Sequence, residues 1–585
     1  KARTLVSLKH VLKSARIAPI RTFTVSDWNS KRQACLNSIT TGFGNGPWIV
    51  RSSCSREDSN VESNAGRFLS VQDVDKKGLI EAIEQVILSY DKAEATDEIL
   101  IQPMLDKTIR SGVGFSHDPN TCAPYRVVNW LDGSDTAAVT GGTGGQMWQQ
   151  AANLPSSAKH PGPILAPIFT LLEELLLLFD GTPLDFEFAV TREAEGDVLW
   201  LLQVRQLVLP KVPEPEATQT ERLERIQQKL MKGMQPHPFL MGQRTVYGVM
   251  PDWNPAEIIG IRPKPLALSL YRDLITDSIW AYQRHNYGYR NLRSFPLMQH
   301  FFGLPYIDVR LSFNSFIPAD LDSELAGRLV DYYVDLLLAK PALHDKVEFE
   351  IVFSCYTMDL PLRLKRLNRA GFSKQDCTTL SHSLRKLTNR IIQPEVGLWR
   401  ADAAKIDVLN ERRKQLLNSC DEPIEKIYWL LEDAKRYGTL PFAGLARAGF
   451  IAVQMLRSLV KVGIFTQDDY NAFLSGVSTV SGQLAQDRTS LDKTAFLKRY
   501  GHLRPGTYDI LTPRYDEAPE LYFDWSGKPE DPNRYKTPAF SEKKGQLRKI
   551  EKLLKEHGLH AEPEGLIDFM KAGIELREAA KFHFT

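Results

Sequence analysis

The 585 residues include only six cysteines, Cys35, Cys54, Cys122, Cys355, Cys377 and Cys420, and no two have metal-ligand or redox-motif spacing. So few in so long a chain exclude a disulfide scaffold and leave reduced thiols in a cytoplasmic protein as the expectation. Long apolar runs are also lacking. The longest, 164–179, carries Glu173 and Glu174 in its middle and is shorter than the ~20 residues that a membrane span needs, so no membrane is expected. There is no excess of one charge: 73 Lys and Arg stand against 71 Asp and Glu, giving +2. A near-neutral chain has no global attraction to nucleic acid, and the basic run SEKKGQLRKIEKLLKEHG (541–558) reads as a solvated helix face. No fixed-period repeat is present, which argues against a solenoid. The opening KARTLVSLKHVLKSAR is a basic amphipathic helix pattern without the apolar core of a secretory signal. Its first residue is Lys rather than Met, so a longer natural chain is expected.

Hydrophobic residues at 43% and charged residues at 25% are ordinary globular values, and the length predicts two to four domains. The segments 47–53, 98–105, 125–131, 183–190 and 197–209 are rich in Val, Ile, Phe and Trp and read as strands. Helical patterns such as KGLIEAIEQVILSY (77–90) lie between them. LPKVPEPEATQTE (209–221) has three prolines and few apolar residues, a linker composition. Beyond it the helical period dominates. We therefore expect an α+β domain over 1–210, a linker over 211–222 and a mainly α-helical domain over 223–585.

The strongest local signal is a hairpin. PLDFEFAV and DVLWLLQVRQL flank the polar turn TREAEGD (191–197). Strict alternation puts Asp185, Glu187 and Ala189 on one face of the first strand, and Leu199, Leu201, Gln203 and Arg205 on one face of the second. A turn centred near Glu195 sets Glu187 opposite Gln203 and Asp185 opposite Arg205. Carboxylate and amide oxygens suit Mg²⁺, and a guanidinium suits phosphate. The same residues also read as a solvent-facing strand with a cross-strand ion pair.

Three further segments stand out. WIVRSSCSREDSNVESNAGRF (48–68) runs from a strand into a small, polar loop holding Arg56, Glu57, Asp58, Ser63, Asn64 and Gly66, where backbone N–H groups can meet phosphate oxygens. SGVGFSHDP (111–119) is strand-like and breaks at Asp118–Pro119. TAAVTGGTGGQ (136–146) is a glycine cluster without the Lys-Ser/Thr of a Walker loop.

In their order along the chain, VRSSCSRED with SNAGRF, EILIQPML, SGVGFSHDP, PLDFEFA and LLQVRQL resemble the ATP-grasp-like nucleotide-binding domain of the phosphoenolpyruvate synthase and pyruvate phosphate dikinase family. DWNPAEIIGIRPKPLALSL (252–270), RYGHLRPGTYDILTPRYDE (499–517) and GIELREAAKFHFT (573–585) are similar to the helix-rich central domain of rifampin phosphotransferase and related enzymes. The resemblance implies an ATP- and Mg²⁺-dependent phosphotransferase. Lys1 and Arg51 would contact ATP phosphates, Arg205 would clamp a phosphate, Glu187 and Gln203 would hold Mg²⁺, and Gln102 and Met104 would line the adenine site.

The resemblance also implies a small-molecule acceptor in the second domain and a swivelling phosphohistidine domain, in cis or in trans, that carries the phosphoryl group. Arg310, Asn314, His502, Arg504 and Arg514, with Tyr508, Asp509 and Tyr515, are the polar residues expected to line an acceptor site. None of the twelve histidines lies in the Gly/Thr/Ser-rich loop of a carrier domain, and His502 is expected to be structural or an acceptor-site residue. The chain departs from the family pattern at His117, where an Arg is usual, at Gln206 in place of Pro, and over 131–142, where the Gly-Leu-Gly-Glu loop has no clear copy. These departures favour, as the alternative, a nucleotide-sensing or scaffold module without turnover.

Overall fold

The structure is a computed structural model and describes the chain apart from residues 55–67, 91, 134–144, 155–161, 163, 394, 420–421, 506–507, 526–539 and 541–542. The polar loop from Arg56 to Gly66, most of the glycine cluster and Cys420 fall outside the described residues. The chain divides into two compact units, Lys1–Gln227 and Gln228–Thr585.

Unit 1 runs α1 (Ala2–Leu8), β1 (Arg21–Thr24), α2 (Val25–Phe43), β2 (Trp48–Ser53), β3 (Ser70–Val74), α3 (Leu79–Leu88), β4 (Glu98–Pro103), β5 (Thr108–Phe115), β6 (Tyr125–Asp132), β7 (Gln146–Ala151), α4 (Ala166–Leu178), β8 (Leu184–Glu193), β9 (Gly196–Gln206) and α5 (Glu216–Met234). The expected linker over 211–222 is corrected by α5, which begins at Glu216 inside it, and the division at Gln227 falls within that helix. Strand β9 has already ended at Gln206, and Pro215 stands immediately before the first helical residue, Glu216, where a proline is tolerated.

All strand pairs in unit 1 are antiparallel, in a four-stranded sheet ordered β1-β4-β2-β3 and a five-stranded sheet ordered β7-β6-β5-β8-β9. Helix α2 starts on a capping box in which Thr24 and Asp27 satisfy each other's backbone N–H groups. Helix α3 buries Leu79, Ala82, Ile83 and Val86, the i, i+3, i+4, i+7 stripe that its sequence predicts. Helix α4 shares a core with Phe186, Phe188, Leu201 and Val204 of the five-stranded sheet.

The opposite face of that sheet is set by two glycines. On β5, Gly112 stands opposite Phe188 and Gly114 opposite Phe186. A Cβ on Gly112 would lie 2.2 Å from the Asn129 carbonyl oxygen, and one on Gly114 would lie 2.3 Å from the Phe186 ring. Both rings therefore lie across β5 on the core side. Glu187 and Asp185 then emerge on the other side, beside Val113 and Phe115.

Unit 2 is mainly helical. Its described strands, β10 (Tyr247–Gly248), β11 (Met298–Phe301) and β12 (Leu304–Asp308), form a small antiparallel sheet. The long helix Leu440–Lys461 hides Leu445, Ala448, Ile451, Ala452, Met455, Leu456 and Leu459. It packs closely on helix Pro563–Phe584, since a Cβ on Gly449 would meet the Gly573 carbonyl oxygen at 2.9 Å. Among the described residues, the stretch Pro423–Lys461 is long and apolar enough to cross a membrane by length and composition. Within the unit 72% of its apolar window is buried, the pattern of a core helix. The architecture is thus an α+β unit followed by a mainly helical one.

Gly112→Ala should destabilise unit 1 by about 1–3 kcal/mol, because the added methyl meets backbone that cannot rotate away. Urea unfolding followed by circular dichroism measures this, and an unchanged midpoint would contradict the close approach of β5, β6 and β8.

Candidate functional site

Glu187 stands opposite Gln203 and Asp185 opposite Arg205 across β8 and β9, in the register the sequence predicts. The shared face of β9 differs from that expectation. The turn pairs Glu193 with Gly196, Phe188 pairs with Leu201, and the register then shifts by one between Phe188 and Glu187. Leu202 is the extra residue of a β-bulge. Leu199 and Leu201 consequently lie in the core with Phe188, whereas Gln203 and Arg205 turn to the opposite face. Strict alternation had put all four on one side. The bulge lets one strand bury leucines at one end and present polar groups at the other.

Arg51, on β2, reaches this face. Its Nη2 donates to Glu187 Oε2 at 2.8 Å and to Gln203 Oε1 at 3.3 Å, and its Nη1 donates to the bulged Leu202 carbonyl at 3.1 Å. The Arg51 side chain is 10% exposed and that of Glu187 28%. Arg51 Nε is buried without a hydrogen-bond partner among the described residues. Beside them Arg205 grips Asp185 through two nitrogens, with Nε 2.8 Å from Oδ1 and Nη2 3.0 Å from Oδ2. Burial pushes the Glu187 carboxyl up, but Arg51 foremost, with Lys1 and Arg205, outweighs it and holds the pKa below the usual glutamate value. Glu187 is therefore a carboxylate at neutral pH.

The other expected residues divide. The charge of Lys1 acts on Glu187, so Lys1 belongs to the cluster. Gln102 is buried on β4 and donates to the Ala18 carbonyl at 3.4 Å, a bond within the fold. Met104 follows β4, half-buried, and its backbone N–H bonds the Pro47 carbonyl at 3.0 Å. Ser116 ties the end of β5 to the start of β8, accepting from Leu184 N at 2.8 Å, and its hydroxyl lies 3.1 Å from His117 Nδ1. Burial, then Arg126, holds the His117 imidazole below its usual pKa, so at neutral pH no fixed cation stands at that position. Arg126, which the sequence reading passed over, donates to the Ser116 carbonyl at 2.9 Å and pairs with Glu173 and Glu216.

A Mg²⁺ ion keeps several waters and takes one or two protein carboxylates together with phosphate oxygens. One ionised carboxylate and one amide oxygen side by side, with an unused buried N–H of Arg51 next to them, fit a metal that a phosphate chain completes. Among the described residues no group of three or more His, Cys, Asp or Glu side chains forms a protein-only metal cage.

In unit 2 the expected acceptor residues divide, three of them lining one cavity and the others lying elsewhere. Arg310 is buried and its Nη1 and Nη2 donate to the Gln235 and Gly233 carbonyls at 2.9 Å each. Asn314 brackets the Met241 backbone, accepting from its N–H and donating to its carbonyl, both at 2.9 Å. Both residues anchor backbone, although Arg310 Nε is left without a partner among the described residues. Arg514 pairs with Asp516. His502 packs edge-on against Phe582 and its Nε2 lies 3.3 Å from the Phe582 carbonyl. Arg504, Tyr508 and Tyr515 do line a cavity of about 450 Å³, together with Asp252, Arg284, Glu348 and Arg447, which sequence reasoning missed. Those four lie apart in the chain, Asp252 in a turn and the other three in helical segments, and no local pattern joins them.

No protein-family model and no curated protein matches the chain. Among solved structures it is similar to D-alanine–D-alanine ligase from Helicobacter pylori, with 14% identity over 38% of this chain and 59% of that one and a TM-score of 0.23. It is also similar to the dinucleotide-forming acetyl-coenzyme A synthetase 1 of Ca. Korarchaeum cryptofilum, with 13% identity over 35% of this chain and 90% of that one and a TM-score of 0.23. ATP citrate lyase from Methanothrix soehngenii gives 14% identity over 35% of this chain and 48% of that one, with a TM-score of 0.21. The chain thus spans 59% of the length of the Helicobacter ligase and 48% of that of the lyase.

Glu187→Gln removes the ionised partner of Arg51 and should cost about 1–3 kcal/mol of stability at pH 7. Because the folded pKa is lowered, the wild-type advantage is full above the unfolded glutamate value of about 4.3 and is lost as pH falls through the lower folded value. Denaturant melts of both proteins from pH 3 to 8 test this. A stability difference that instead changes between pH 5 and 8 would contradict it.

Proposed function

We propose that unit 1 is an ATP-grasp-like nucleotide-binding domain and that the chain is the ATP-using part of a phosphotransferase of the phosphoenolpyruvate synthase and pyruvate phosphate dikinase type. The observation that carries this reading is the Arg51–Glu187–Gln203 cluster, with its buried, unpartnered Arg51 Nε–H. The ordered motif resemblance around the same residues supports it.

In this reading Arg51 and Lys1 bind and orient phosphate oxygens, and Arg205, preset by Asp185, adds a planar fork. Glu187 and Gln203 hold Mg²⁺, which when bound neutralises charge on the phosphates. Catalysis by such a site is mainly positioning and electrostatic stabilisation. The guanidinium of Arg51 is already desolvated and held from three directions, so little reorganisation is needed. Gln102 and Met104 contribute the strand beside the adenine. The acceptor binds in unit 2, and a phosphohistidine carrier, in cis or in trans, links the two in the cytoplasm. The neutral His117 favours the second reading, nucleotide sensing without turnover.

Calorimetric titration with Mg·ATP tests the assignment. The wild type should bind, Arg51→Met should bind at least ~10-fold more weakly, the loss of one charge-assisted contact, and Glu187→Gln should lose the dependence on Mg²⁺. Equal affinities in all three proteins would refute the site. With a phosphohistidine carrier required, this chain by itself should show no net phosphoryl transfer to a small molecule, and transfer by the chain alone would remove the carrier from the account.

A further inference from the structure

Two arginines are buried inside unit 2 without being fully used. Arg284 is 5% exposed and Arg447 2%. Arg284 Nη2 donates to Asp252 Oδ1 at 2.7 Å and lies 4.0 Å from Glu348, and Arg447 is ion-paired to Glu348. The guanidinium carbons of both lie over the Phe316 ring, at 4.3 and 5.0 Å from its centroid. Two cations against two carboxylates make the cluster neutral overall. Its hydrogen bonding is still incomplete. Arg284 Nη1, Arg447 Nε and Nη1, and the Trp253 indole N–H are buried without a partner of good hydrogen-bond geometry among the described residues, although the Tyr289 hydroxyl lies within reach of Arg447.

The three residues that bear these donors, and the two carboxylates that anchor the arginines, all line the cavity of about 450 Å³. An unsatisfied buried donor costs about 1–3 kcal/mol, more when charged, so four on residues that line one cavity favour an added acceptor there. The cavity also has an apolar wall in Trp253, Phe442 and Phe450, with the first two in edge-on contact at 5.7 Å. Arg504, Arg577 and Lys581 at its lining add positive charge, which Glu257 and Glu578 at the same lining partly offset, leaving a small excess of cations. Its volume lies within the range of ~300–1,000 Å³ usual for small-molecule sites.

We propose that this cavity binds a small organic oxyanion, whose carboxylate or phosphate oxygens take the unused N–H groups of Arg284 and Arg447 while a ring-sized apolar body lies against Trp253, Phe442 and Phe450. Guanidinium forks match both headgroups, and the shared chemistry is two or three acceptor oxygens on an apolar stem. Asp252 and Glu348 hold the forks in place and keep the empty cluster neutral. Naming this ligand as the phosphoryl acceptor rests on the function proposed above, whereas the binding itself does not.

The test is calorimetry on the full chain without nucleotide, using 4-phenylbutyrate, phenyl phosphate and the uncharged 4-phenylbutan-1-ol. At least one oxyanion should bind saturably, at least ~10-fold more tightly than the alcohol, and the tighter of the two names the headgroup. Ala446 lines the cavity and is only half-buried, so Ala446→Trp should fill it and weaken oxyanion binding at least ~10-fold at an unchanged melting temperature. Binding of the alcohol as tight as that of the acids, or no binding of either oxyanion, overturns the proposal on the wild type alone. Unchanged binding in a folded Ala446→Trp protein places the site elsewhere and overturns it too. Mg·ATP binding, measured separately on the same protein, shows whether the nucleotide reading stands or falls independently.

Discussion

The guanidinium of Arg51 holds unit 1's functional face together. It is carried by β2 of the four-stranded sheet and bonds Glu187, Gln203 and the Leu202 carbonyl of the β8–β9 hairpin in the five-stranded sheet. This side chain thereby adds a polar tie between two sheets that also share a core through Leu100, and it contributes most to holding Glu187 ionised. Breaking such a pair by removing one partner costs far more than the pair contributes relative to an apolar replacement. Stability alone gives little reason to place a charge there. The phosphate ligand proposed for this face would supply one, because it needs a desolvated, pre-aimed cation.

The bulge at Leu202 is the local device that makes this arrangement possible. Without it, the alternation that buries Leu199 and Leu201 would put Gln203 in the core and turn Val204 outward. With it, the strand changes parity in one step and offers its spare carbonyl to Arg51. Gly112 and Gly114 complete the geometry by letting Phe186 and Phe188 lie across β5, which leaves Asp185 and Glu187 on the accessible side.

Much of this was legible in the sequence. Dense β-branched and aromatic runs located β2, β4, β6, β8 and β9, and the spacing of the hairpin paired Glu187 with Gln203. The pairing came out right although the turn lies half a residue earlier than expected, because the bulge restores the offset. A bulge leaves no mark in an apolar and polar alternation, and so its effect on Leu199 and Leu201 could not be read. The short strands β1, β3 and β7 were missed because they have only four to six residues each and mixed polarity. In unit 2 the acceptor residues were chosen from polar clusters along the chain. Arg310 and Asn314 proved to be backbone anchors, while Arg284 and Arg447, buried on helices, line the cavity. Tertiary packing decides which buried arginine anchors backbone carbonyls and which lines a cavity, and Arg310 Nε, like the cavity N–H groups, has no partner of good hydrogen-bond geometry among the described residues.

The two units share a physical theme: buried guanidinium groups held by carboxylates, each with N–H groups left over. For unit 1 the direct measurement is arginine Nε–H NMR during titration with Mg²⁺ and a non-hydrolysable ATP analogue. The Arg51 resonance, assigned by its loss in Arg51→Lys, should shift saturably with the analogue and its exchange with water should slow. A saturable response elsewhere that leaves Arg51 unmoved, or no saturable response at all, would contradict the account.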